Sequence, residues 1–184
     1  GEMVTERLIP PLPSLAQAAA ATAPFPLPKV PAKVSQFWLF KGSAGDPATL
    51  PAVMFQLRAL AAYPDLLRLL RVASPASAGL PADAGVIRQE RNLRAVMEQL
   101  RTLLRQPGVG ERVRTRLAGD TTLAPATRRM LTALLNVYQG QDSRYLNYYG
   151  PPRSITTLPF HTVWQTDASH AAPLFDLRGK MVLV

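Results

Sequence analysis

Proline placement constrains this chain more than any other feature. The ring fixes φ and removes the backbone N–H, so proline stands at a helix start, in a turn or at an edge. Residues 8–28 carry no charge, yet Pro10, Pro11, Pro13, Pro24, Pro26 and Pro28 interrupt them. A helix in lipid must satisfy every backbone donor and acceptor internally, so this stretch does not read as a membrane span. It also mimics an export signal, with Arg7 ahead of it and small residues at Ala19 and Ala21. Glu2, Glu6 and the early prolines oppose that reading. Ser14–Thr22 is expected as a short soluble helix, and no membrane segment or export signal is expected in the chain as given.

Between the prolines the pattern predicts alternating elements. After a connector at Phe25–Pro31, Lys33–Phe40 has the aromatic and β-branched content of a buried strand. Gly42–Asp46 reads as a loop, and Thr49 is placed to cap a helix over Leu50–Arg71. Pro51 suits its first turn, and Pro64 is expected to kink or divide it after Ala62-Tyr63. Val72–Ala82 reads as a loop. Asp83 then caps a helix to about Gln106, with Val86, Leu93, Val96, Leu100, Leu103 and Leu104 near helical spacing. Pro107-Gly108 ends it, Gly110–Leu117 gives one or two further turns, and Pro125 opens a helix ending near Gly140. Its buried face is read from Leu131, Leu134, Leu135 and Tyr138. Arg144–Tyr149 is a strand by composition, closed by Gly150-Pro151-Pro152. Pro159–Gln165 reads as a short helix, and Lys180–Val184 as an apolar strand. Strands separated by helices predict an α/β sheet. The 184 residues fit one domain or part of a larger one.

The net charge of +9 is unevenly spread. Between Arg58 and Arg129 lie thirteen arginines, no lysine and six acids, so this block holds most of the excess. A basic helical block suits nucleic acid, anionic lipid or an acidic partner, and equally suits solvated helix faces. The absence of cysteine excludes disulfide scaffolds, Cys-ligated metal and thiol catalysis. It does not fix the compartment.

No catalytic constellation emerges. Gly108-Val109-Gly110 lacks the third glycine and the preceding strand of a phosphate loop. His161 and His170 stand nine apart without an acid at ligand spacing, so no metal and no cofactor is expected. His161 near Asp167 lacks any motif-placed nucleophile. The densest polar-aromatic cluster is Tyr138, Arg144, Tyr145, Asn147, Tyr148 and Tyr149. On a strand, Tyr145, Asn147 and Tyr149 face one way, and Arg144, Leu146 and Tyr148 the other. Such a strip fills a core or contacts a ligand or partner. The paired Gly-Phe aromatics of an RNA-recognition sheet are missing, so nucleic acid is not expected.

Three segments carry a family resemblance: Asn147-Tyr148-Tyr149-Gly150-Pro151-Pro152, Thr156-Thr157-Leu158-Pro159-Phe160, and Leu174-Phe175-Asp176-Leu177-Arg178-Gly179-Lys180 with Met181-Val182-Leu183-Val184. They resemble the type-two CHASE domain, the cyclase/histidine-kinase-associated sensory extracellular domain of bacterial membrane receptors. Pro10-Pro11-Leu12-Pro13 with the Ala-rich run after it, and Thr49-Leu50-Pro51, look like earlier parts of the same family.

The resemblance implies one partial sensory domain over 1–184. Its fold would be α/β, a partial mixed sheet with flanking helices, an Arg-rich helical insertion at 72–136 and a C-terminal strand-turn-strand part at 137–184. It implies a location on the extracytoplasmic, periplasmic face of the inner membrane. Attached membrane helices and a nucleotide cyclase, histidine kinase or Ser/Thr kinase output would lie outside the chain. The chain itself would not be an enzyme, its stimulus would be an unidentified small molecule or protein, and a homodimer is compatible with it. Arg144, Tyr145, Asn147, Tyr149 and His161 are the expected ligand contacts. The alternative is an Arg-rich module that docks a protein or a membrane surface without sensing a ligand.

Overall fold

The computed structural model describes residues 9–26, 36–146 and 150–151. The chain divides into two units, Gly1–Leu146 and Asn147–Val184. Helices dominate the first unit: α1 (Pro13–Ala18), α2 (Leu50–Ala59), α3 (Tyr63–Ala73), α4 (Ala84–Glu90), α5 (Leu93–Arg105), α6 (Val109–Gly119) and α7 (Pro125–Gln139). Strands β1 (Gln36–Trp38) and β2 (Ser143–Tyr145) pair antiparallel, with Gln36 opposite Tyr145, Phe37 opposite Arg144 and Trp38 opposite Ser143. The arrangement is thus α/β in a helix-dominated form. Both strands are shorter than expected: Leu39, Phe40 and Leu146 fall outside them, while positions 33–35, 147–149 and 180–184, and the helix at 159–165, lie outside the described residues.

Prolines do what the sequence reading asks of them. Pro51, Pro64 and Pro125 each stand in the first turn of a helix, where their missing N–H is no loss. A 3-10 turn, Leu60–Ala62, separates α2 from α3 at the expected division. Asp83 caps α4, its carboxylate accepting from the backbone N–H of Gly85 and Val86 at 2.6 and 3.0 Å. Some expectations change. The helix expected over Ser14–Thr22 is the shorter α1, which ends at Ala18. Thr49 stands at the N-cap of α2, but its hydroxyl donates to the carbonyls of Trp38 and Leu39 instead of serving the helix. The expected short 110–117 segment is a full helix, α6, of eleven residues.

The expected continuous helix from Asp83 to Gln106 is two helices. Arg91 adopts φ 53°, left-handed, and ends α4. Its N–H and that of Asn92 close back on the carbonyls of Arg88 and Ile87. The cause is the apolar pattern. Ile87 and Leu93 are both buried, yet six residues along one helix would set them about 120° apart. The break brings Leu93 onto the stripe of Val96, Met97, Leu100 and Leu104.

One core runs from Leu39 to Tyr138. α7 packs against α2, α5 and α6, and α6 packs against α3 and α5, so the helices between 72 and 136 share this core with β1 and α2. Gly110 permits the closest approach: a Cβ there would sit 1.4 Å from the Gln139 amide nitrogen. Gln139 uses that proximity to donate to the carbonyl of Leu104 at 3.3 Å. Tyr138 fills the centre, its hydroxyl donating to Gln56 Oε1 at 2.7 Å. Burial pushes the Tyr138 phenol pKa up, against a smaller opposing pull from Arg101.

Candidate functional site

A groove of about 390 Å³ opens where the two-stranded β1–β2 ribbon meets α2 and α7. Three helical and strand spacings build it. Pro51 and Phe55 are four apart on α2, Ala133 and Val137 are four apart on α7, and Phe37 and Leu39 are two apart on and beyond β1. Each pair therefore presents one apolar face to the same space. Arg144, opposite Phe37 in the β ladder, brings the one cation of the lining, and Asn136 adds an amide. The mixture of apolar walls with a few placed polar groups is that of small-molecule sites.

The charge near β1, β2 and the end of α7 follows from pairing. Arg101 is buried on α5 and grips Asp46 at two points, Nε to Oδ2 at 2.7 Å and Nη2 to Oδ1 at 2.6 Å. The same Nη2 reaches Asp142 at 3.1 Å, and Arg105 reaches Asp142 at 2.9 Å. Asp46 and Asp142 thus neutralise two arginines. Arg114 and Arg144 form no ion pair among the described residues, and both converge on Asn136. Arg114 donates to its side-chain oxygen at 3.0 Å and to Gln139 Oε1 at 2.7 Å. Arg144 donates to its main-chain carbonyl at 3.1 Å. The residual positive charge at the end of α7 therefore belongs to Arg114 and Arg144.

Part of the remaining arginine excess has a structural use. Helix C-termini present unpaired carbonyls and a partial negative charge, which guanidinium groups satisfy. Arg112 donates to Ala73 O at the end of α3, Arg105 to Tyr138 O at the end of α7, and Arg128 to Ala118 O at the end of α6. Arg128 also reaches the Asp120 carbonyl. Arg68 binds the Asp120 carboxylate at 2.6 Å. The Thr122 hydroxyl and then Arg68 hold the Asp120 pKa down to about 2. Arg58, Arg71, Arg88, Arg91, Arg116 and Arg129 are exposed and make no hydrogen bond or ion pair through their side chains among the described residues.

The expected contacts separate. Arg144 lines the groove, whereas Tyr145 is 78% exposed on the other face of β2, as strand alternation requires. Tyr138 belongs to the core. Asn147, Tyr148, Tyr149 and His161 lie outside the described residues. Sequence reasoning missed Phe37, Phe55, Asn136 and Val137, because a groove is a meeting of segments distant in sequence. Arg101 carried a signal: it stands four after Met97 and three before Leu104, inside the apolar stripe of α5. A second depression, about 450 Å³, lies between the 75–80 turn and α5, with Leu80, Ala95, Glu98, Gln99 and Thr102 along it.

Among the described residues there is no group of three side chains placed to hold a metal ion, and no helix is long and apolar enough to cross a membrane. Compared with known proteins, the chain matches no family model, no curated sequence and no solved structure.

Proposed function

We propose that the chain is a signal-input unit of a transmembrane receptor, working on the extracytoplasmic face of a bacterial inner membrane. The observation that carries this reading is the groove. Its apolar walls and guanidinium suit a small ligand and offer no catalytic group. It is built partly on β2, and the segment Asn147–Pro152, which resembles the type-two CHASE domain, begins two residues after β2 ends in sequence. On this reading the α/β fold includes a partial mixed sheet, the helices at 72–136 are a family-variable insertion, and a cyclase or kinase domain carries the output. A ligand would act by binding one of two arrangements more tightly than the other.

The reading frame beyond codon 184 tests it. Apolar spans of about 20 residues followed by a cyclase or kinase domain are the expected result. A stop codon directly after Val184 would overturn it.

A second reading is a module that docks an anionic surface, favoured by the six exposed guanidinium groups that lack a partner among the described residues. It requires binding to anionic vesicles or an acidic protein that weakens steeply with salt. No binding at low salt would remove it.

A further inference from the structure

We propose that the groove between the ribbon, α2 and α7 binds a small carboxylate with an apolar body, the carboxylate against Arg144. This rests on the signal-input reading and names its ligand class.

Four observations support it. The walls are apolar: Phe37, Phe55 and Val137 on three elements face one space. The lining holds one cation and no acid. Arg144 spends one donor on the Asn136 carbonyl at 3.1 Å, and a guanidinium carries further N–H donors in a planar fork that suits a carboxylate. The carbonyl end of α7, which would otherwise repel an anion, is already covered. Arg105 and Arg144 donate to its carbonyls, and Arg114 adds a positive charge one side chain away.

Size sets the body. At roughly 30 Å³ per water-sized group, the groove holds about a dozen non-hydrogen atoms. An arylalkyl monocarboxylate fits this count. A sugar would find only Asn136 and Arg144 for its several hydroxyls, and an amine would meet Arg144 with like charge.

The test uses the whole chain and 4-phenylbutyrate, with its primary amide and 4-phenylbutylamine as neutral and cationic counterparts. Calorimetric titration and thermal melting read binding. The carboxylate is expected to raise Tm and to bind at least tenfold tighter than either counterpart. Arg144→Gln is expected to weaken it tenfold or more, Arg144→Lys to restore part of the loss, and Arg88→Gln, far along the sequence on α4, to change nothing. Ala133→Trp, which fills the groove from α7, is expected to abolish binding.

Equal binding of the amide, or unchanged binding by an Arg144→Gln chain that melts normally, would overturn the carboxylate assignment. If a neutral or cationic probe binds instead and Ala133→Trp abolishes it, the carboxylate assignment falls while sensing through the groove stands. If the carboxylate binds through Arg144 but the reading frame stops after codon 184, the assignment stands and the receptor reading falls.

Discussion

The Arg101 guanidinium lies over the Phe40 ring, its central carbon 3.6 Å from the centroid, while its edge grips the Asp46 carboxylate. One side chain on α5 thus fixes both the segment after β1 and the loop that leads to α2. Asp46 accepts this role in a left-handed conformation, φ 64°, that few non-glycine residues adopt. Asp142, the residue before β2, shares the same guanidinium. Both strands flanking the groove are therefore tied to α5.

Arg101→Ala removes that tie and the stacking on Phe40. Breaking a buried pair costs about 3–5 kcal/mol, and the partly exposed carboxylates of Asp46 and Asp142 retain water, so about 3 kcal/mol is expected. Urea unfolding checks it. Arg101→Met restores volume without charge, and should recover part of the loss.

Arg91 ends α4 in the left-handed region, which costs an L residue about 1–2 kcal/mol. Arg91→Gly removes this strain and adds some backbone entropy to the unfolded chain. A net gain of about 0.5–1 kcal/mol is expected, seen as a raised urea midpoint with an unchanged slope. A lowered midpoint would mean that the Arg91 side chain holds more than the structure shows.

Gly110→Ala works in the opposite direction. The added Cβ meets the Gln139 amide at 1.4 Å and the Leu104 carbonyl at 2.9 Å. Gln139 must leave, losing its bonds to Leu104 and Arg114, or α6 and α7 must part. A loss of about 1–3 kcal/mol is expected in the same unfolding assay.

Asp120 links stability to acid. Its pKa falls from 3.8 to about 2 on folding, because the Thr122 hydroxyl and the Arg68 guanidinium bind the charged form. A depressed folded pKa gives stability that is fully present above the unfolded value and is lost as pH falls through the folded one. Asp120→Asn should therefore lower Tm by a constant amount between pH 6 and 8. The gap to wild type should shrink below about pH 4 and close near pH 2. A gap that persists at pH 2 would contradict this origin.

The sequence made the helix starts legible because they depend on local chemistry: Pro51, Pro64 and Pro125 in first turns, and Asp83 with its carboxylate on two N–H groups. The burial of Leu131, Leu134, Leu135 and Tyr138 followed from spacing alone. Non-local partners were not legible. The arginines read as a basic surface because nothing in the sequence shows that Arg112 meets the end of α3 or Arg128 the end of α6. The break at Arg91 was hidden by good helix formers on both sides, and only the six-residue offset of Ile87 and Leu93 betrays it. Of the groove, strand alternation correctly set Arg144 and Tyr145 on opposite faces. Its other walls come from α2 and α7, whose meeting no local pattern records.

The most direct test of the central claim is a two-dimensional ¹H–¹⁵N spectrum of the chain titrated with 4-phenylbutyrate. Saturable shifts are expected to cluster on Phe37, Phe55, Ala133, Asn136, Val137 and Arg144, and to vanish in Arg144→Gln. Shifts centred on Leu80, Glu98 and Thr102 instead, or no saturable shift in the folded chain, would contradict it.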